Sequence, residues 1–195
     1  MWADGIAIFH HAFVAYVLRE KSRFFHRRNA QNDTPLRRHQ IMAKKAKAVP
    51  RGYRTVTPYL IIKDAASAID YYKQAFKAKV LMCLSEPNGK VGHAEIKIGD
   101  SRIMLADEYP ETGSRGPQSF GGSPVSILLY VEDCDDIFNR AIARGGKIVK
   151  PMSDQFYGDR AGTLEDPFGH TWTIATHKED LTSEEILQRA AGRSD

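Results

Sequence analysis

Residues 59–80, YLIIKDAASAIDYYKQAFKAKV, lie over residues 128–149, LLYVEDCDDIFNRAIARGGKIV, at an offset of 69 that sets Asp64 on Asp133. A slip of one residue at the helix end keeps the two in step. The same offset sets Ile103-Met104-Leu105-Ala106 on Trp172-Thr173-Ile174-Ala175. Each copy begins with an apolar strand, reaches an aspartate that suits a helix N-cap, and continues with an amphipathic run. The chain is therefore expected to be α+β, two tandem βαβββ modules.

The first copy reads as a strand over residues 55–63, a helix from Ala65 to Ala78, and strands over 79–85, 91–98 and 102–107. In the third of these, Ala94, Ile96 and Ile98 fall on one face and His93, Glu95 and Lys97 on the other. The segment from Tyr109 to Pro124 is a connector broken by glycine and proline. The second copy then runs as a strand over 125–132, a helix from Asp133 to Arg144 stopped by Gly145-Gly146, and a short strand over 147–150. It closes with the hairpin DQFYGDRAGTLEDPFGHTWTIATH, residues 154–177. There Asp166-Pro167-Phe168-Gly169 has the residues of a tight turn, and residues 170–177 alternate with period two. One helix is expected to cover the outer face of each sheet. The two opposite faces, brought together, would enclose a cleft for a ligand.

The formal charge is only +4, and the basic residues crowd the region before Gly52, among them Arg23, Arg27, Arg28, Arg37, Arg38, Lys44, Lys45 and Lys47. The remainder is close to balanced and has no basic, aromatic-lined face of the kind nucleic acid requires, so no nucleic-acid partner is expected. Residues 6–18 are apolar but too short to span a bilayer, and no secretory signal is evident. Residues 1–49 are read as a basic extension, either disordered or arising from an upstream start, with Met42 as a natural beginning. The other reading is a targeting or membrane-surface arm. The two cysteines, Cys83 and Cys134, lack metal-ligand or CxxC spacing and suit core positions in a reducing, cytoplasmic setting.

With these residues set out, the stretch from Gly52 to Lys178 resembles the vicinal oxygen chelate superfamily, which groups glyoxalase I, bleomycin-resistance proteins and extradiol dioxygenases. The resemblance rests on the paired modules, on IIKDAASAIDYYKQAF, YVEDCDD and EDPFGHTW. TVTPYL, GHAEIKIGDSRIMLADE, FYGDRAG and DPFGHTWTIATH resemble its PhnB-like subgroup, often loosely labelled 3-demethylubiquinone-9 3-methyltransferase-like. No glycine-rich nucleotide loop supports the methyltransferase label. The resemblance implies a superfamily-type domain over residues 50–180, with modules at about 53–110 and 124–178, and a short C-terminal helix or tail over 181–195. It also implies a homodimer. In metal-using members, ligands come from the first and last strands of each module. By position those sites fall on Thr57, Met104, Ser126 and Thr173, which offer no imidazole or carboxylate.

The expected function is therefore metal-free binding or sequestering of a small molecule, with no cofactor and no membrane. The alternative is a divalent-metal lyase, isomerase or dioxygenase using His93, Glu95 and His170, with His177 in reserve. Ligand-binding candidates are Tyr157, Asp159, Arg160, His170 and Trp172. Arg160 either grips an anion, oriented by Asp159, or forms a structural salt bridge. Phe168 and Trp172 are either core or pocket wall, or a cofactor platform. Asp107 and Glu108 read as a solvated strand end. No nucleophile–base order is visible.

Overall fold

A computed structural model describes residues 47–192; the expectations for the basic extension and for Met42 lie largely outside them. Among the described residues, eight strands and three α-helices lie in one compact unit, within residues 51–108 and 114–192. The first module comprises β1 (Tyr59–Ile62), α1 (Ala65–Phe76), β2 (Lys79–Ser85), β3 (Val91–Ile98) and β4 (Ser101–Asp107). The second comprises β5 (Ser126–Tyr130), α2 (Cys134–Ala143), β6 (Lys147–Asp154), β7 (Asp159–Glu165) and β8 (Thr171–His177). A last helix, α3 (Ser183–Ala191), follows.

The two sheets have the same topology. One is ordered β1-β4-β3-β2 and the other β5-β8-β7-β6. In each, the first strand runs parallel to the last, and the remaining pairs are antiparallel. The 69-residue offset is thus a structural repeat.

Both module helices start on aspartate. Asp64 accepts a hydrogen bond from the Ser67 amide at 3.2 Å, and Asp133 accepts one from the Asp136 amide at 2.9 Å. Helix α1 has a second anchor. The buried Asp107 carboxylate accepts from the amides of Asp64 (3.0 Å) and Ala65 (3.1 Å), and from Val91 of β3 (2.7 Å). Asp107 is thus no solvated strand end: it satisfies free amides at the helix start, where a carboxylate is favoured. Glu108 accepts from the Ser119 hydroxyl at 3.0 Å. Helix α1 stops at Phe76, two residues earlier than expected, because Lys77 turns left-handed at φ 58°. Strand β6 runs four residues further than expected, to Asp154, and pairs irregularly with β7.

The two module helices, α1 and α2, do not lie outside the molecule, whereas α3 buries no residue. The helix-bearing faces of the two modules are turned toward one another and share one core. Phe76 and Tyr72 of α1 pack on Trp172 of β8, with ring centroids 4.7 and 5.4 Å apart. The Tyr71 hydroxyl donates to the Ala141 carbonyl of α2 at 3.2 Å. Burying three large rings together removes more apolar surface than leaving each helix against its own sheet. As a result, the faces turned away from the helices, called outer faces below, do not close on each other within one chain.

At the centre of the shared core sits Asp166. Its carboxylate accepts from the Tyr72 hydroxyl (2.7 Å), the Trp172 indole N–H (2.9 Å) and the amides of Phe168 (2.9 Å) and His170 (3.0 Å). A buried carboxylate with this many donors is tolerated because its charge is met on every side. The tight turn that was legible in the hairpin is therefore also a joint between modules.

Candidate functional site

Strand alternation places Ser126, Leu128 and Tyr130 of β5 on the outer face of the second sheet. The β7–β8 register adds Asp159 opposite His177 and Thr163 opposite Thr173. At one end of this face, Asp159 is only 5% exposed. One of its oxygens accepts from the Tyr130 hydroxyl at 2.7 Å, and the other lies 2.7 Å from His177 Nδ1. The far nitrogen of that ring, Nε2, is 3.0 Å from an Asp180 oxygen. Asp159 and then Asp180 hold the His177 pKa above its ordinary value. Hydrogen bonding to the same Asp159 raises the Tyr130 phenol.

Around this cluster, Leu128, Tyr130 and Tyr157 are exposed. Tyr157 stands on the β6–β7 turn against Phe156, edge to face, with centroids 5.2 Å apart. The turn is pinned to the chain after β8, since the amides of Lys178 and Glu179 both donate to the Gly158 carbonyl. Only glycine fits there: φ is +94°, and an added Cβ would stand 2.5 Å from the Glu179 carbonyl oxygen. Beside the face, a cleft of about 380 Å³ opens between the β3–β4 turn and β5, with Arg54, Pro58, Ile98, Arg102, Leu128 and Tyr130 on its walls.

The candidates named from sequence separate. Asp159 and Arg160 are neighbours on a strand, so they point to opposite faces. Arg160 lies on the helix side, where Nε and Nη2 grip Asp135 at 2.7 and 2.8 Å and Nη1 reaches Asp154 at 3.1 Å. It is a structural clamp of β7 to the start of α2, and Asp159 does not orient it. Trp172 is fully buried in the core, and it also backs the wall of the cleft beside β5. His170 is buried beside Asp166, its Nδ1 4.0 Å from the carboxylate and without a hydrogen-bond partner. Burial lowers its pKa, against the pull of Asp166. Cys134 is buried as expected, whereas Cys83 is exposed, because β2 is the edge of its sheet. Tyr130 was missed because it reads as one more apolar strand residue; its place two residues after Leu128 was the available signal.

His93 and Glu95 do share a face of β3, with Nε2 3.6 Å from the carboxylate. His93 Nδ1 lies 3.1 Å from the Tyr59 hydroxyl, and Glu95 pairs with Arg102 at 3.3 Å. Burial lowers the His93 pKa, against the effect of Glu95. His170 does not join this pair. Among the described residues no three His, Cys, Asp or Glu side chains form a group that could hold a metal ion.

The positions where the resembled family places metal ligands can be tested by their donors. Ser126 and Thr173 meet at 3.3 Å, and Thr163 lies 3.0 Å from Thr173, so three hydroxyls form a row. In the first module Thr57 donates to its own turn, at the Arg54 carbonyl, and Met104 offers a thioether opposite Glu95. Neutral hydroxyls and a thioether do not fit a divalent cation.

A family model for the Glyoxalase/Bleomycin resistance protein/Dioxygenase superfamily matches residues 54–174. An uncharacterised protein of Mycobacterium tuberculosis (strain ATCC 25618 / H37Rv) is 39% identical over 143 residues, which is 72% of this chain and 84% of that protein. Among solved structures, TioX from Micromonospora sp. ML1 is 26% identical with a TM-score of 0.50, covering 63% of this chain and 97% of that one. A putative 3-demethylubiquinone-9 3-methyltransferase, PhnB protein, from Bacillus cereus is 19% identical with a TM-score of 0.51, covering 63% of this chain and 99% of that one. This last likeness is one of fold.

Proposed function

We infer function from one premise: the chain belongs to the glyoxalase/bleomycin resistance protein/dioxygenase superfamily. We propose that it binds and sequesters a small organic molecule without a metal, on the outer face of the second sheet, and that it does so as a cytoplasmic homodimer. The observation that carries this reading is the composition of that face. Exposed Leu128 and Tyr130 share that face with a row of hydroxyls, Ser126 and Thr173 at the family's ligand positions and Thr163 beside them. Such a surface suits an apolar body with a few polar groups and not a cation. The homodimer is supported by the exposure of Val56, Tyr59 and Val125, which one chain leaves uncovered. Among the described residues no helix is long and apolar enough to cross a membrane.

The test is native mass spectrometry and light scattering on full-length protein purified without a histidine tag or chelator. A dimer that carries organic mass and no metal is the expected result. One divalent metal per chain, removed by chelator together with ligand binding, would overturn the reading. It would favour a metal-dependent lyase, isomerase or dioxygenase that includes His93 and Glu95.

A further inference from the structure

The His177 ring carries a carboxylate on each nitrogen, and the two are unlike. Asp159 is an anchor, almost wholly buried and held by Tyr130 as well. Asp180 has a fully exposed side chain three residues beyond His177, outside any strand or helix. For both nitrogens to donate, the ring must be protonated. With Asp159 that cation is already balanced, and Asp180 adds a second negative charge through a solvent-facing contact. Exposed contacts of this kind contribute little and exchange readily. Nε2 is therefore a donor fixed in direction from behind, and in front of it sits a carboxylate on a pinned segment whose own side chain is fully exposed.

The surroundings define what else could sit there. Tyr130 reaches the other oxygen of the same Asp159 carboxylate, so its hydroxyl stands at the anchored side of the imidazole. Its exposed ring and exposed Leu128, on the same outer face of β5, offer an apolar shelf. Charge sets the valence: one carboxylate replacing Asp180 leaves the local balance unchanged, while a dianion adds negative charge beside Asp159. Glu179, the nearest acidic neighbour in sequence, is already paired with Arg189 at 2.7 Å.

We propose that Asp180 is a built-in stand-in for the carboxylate of the ligand, and that His177 Nε2, with Tyr130 and Leu128, binds an aromatic or apolar monocarboxylic acid. This rests on the reading that the outer face of the second sheet holds a small molecule, and it names the class of that molecule. Asp180 is the competitor that the ligand displaces.

The test titrates the full-length protein with 2-naphthoate and with its neutral counterpart 2-naphthamide, following the imidazole nitrogens of His177 by NMR and the affinity by calorimetry. Naphthoate is expected to bind and move the Nε2 signal, and naphthamide to bind at least tenfold more weakly, the loss of a charged hydrogen bond. Asp180→Asn, a change on a fully exposed side chain, should tighten naphthoate roughly two- to fivefold and leave naphthamide unchanged. His177→Gln should abolish the preference for the acid. Equal affinity for acid and amide, with no response to Asp180→Asn, would overturn the carboxylate assignment while leaving small-molecule binding in place. Binding of neither probe at millimolar concentration, with no shift at His177, would overturn both.

Discussion

Two histidines in this molecule respond to pH in opposite directions, and the cause is visible at each ring. His177 gains Asp159 and Asp180 on folding, so its folded pKa lies above the unfolded value of about 6.5. Its contribution to stability is fully present below that value and is lost as pH rises through the folded pKa. His170 loses water and gains no partner at Nδ1, so its folded pKa lies below the same reference. Its contribution is present above about pH 6.5 and is lost as pH falls through the folded pKa. The melting temperature of His177→Gln should therefore fall furthest below wild type near pH 5 to 6 and converge with it in alkali. A deficit that stays constant from pH 5 to 9 would show that the Asp159–His177 pairing is not ionic. At this scale sequence reading met its limit. Asp159 was legible as a polar residue in an aromatic hairpin, yet nothing in FYGDRAG says that Arg160 turns to the helix side and finds Asp135.

Among elements, α1 shows how a strand end can hold a helix. Asp107, the last residue of β4, satisfies amides at the start of α1 and the first amide of β3. Asp107→Ala leaves three buried or half-buried N–H groups without an acceptor and should destabilise the fold by roughly 2–4 kcal/mol. Loss of the Asp64 side chain removes one capping bond, about 1 kcal/mol. Asp64→Gly should recover part of that loss, because Asp64 sits left-handed at φ 65°. Urea denaturation of the three variants gives the ranking; an Asp107 variant milder than Asp64→Ala would refute this account. Elements were the most legible scale. Helix caps, glycine turns and period-two strands are local, and the 69-residue offset repeats the element order in the second copy. Asp107 escaped because its partners are 16 and 42–43 residues away.

Over the whole molecule, the two modules are joined by their helix-bearing faces. Alternation along β3 separates buried from exposed side chains, but it cannot say which other module covers the buried set, so within one chain the modules share an aromatic core and do not close the expected cleft. Phe76→Ala, in the first module, should destabilise the entire unit by roughly 3–5 kcal/mol. Hydrogen exchange should then show faster exchange at amides of β7 and β8 as well as β3 and β4. Unchanged protection in the second module would mean that the modules unfold separately. A further consequence concerns β5, which pairs with β8 on one side and with no described strand on the other. Residues 125–131, VSILLYV, carry no charge and no proline, a composition prone to fibrillar self-association when a free edge is left bare. Pro124 and Glu132 bracket that run as gatekeepers. Replacing either with a neutral, strand-forming residue would be felt first as insoluble protein during expression, with the folded state scarcely altered.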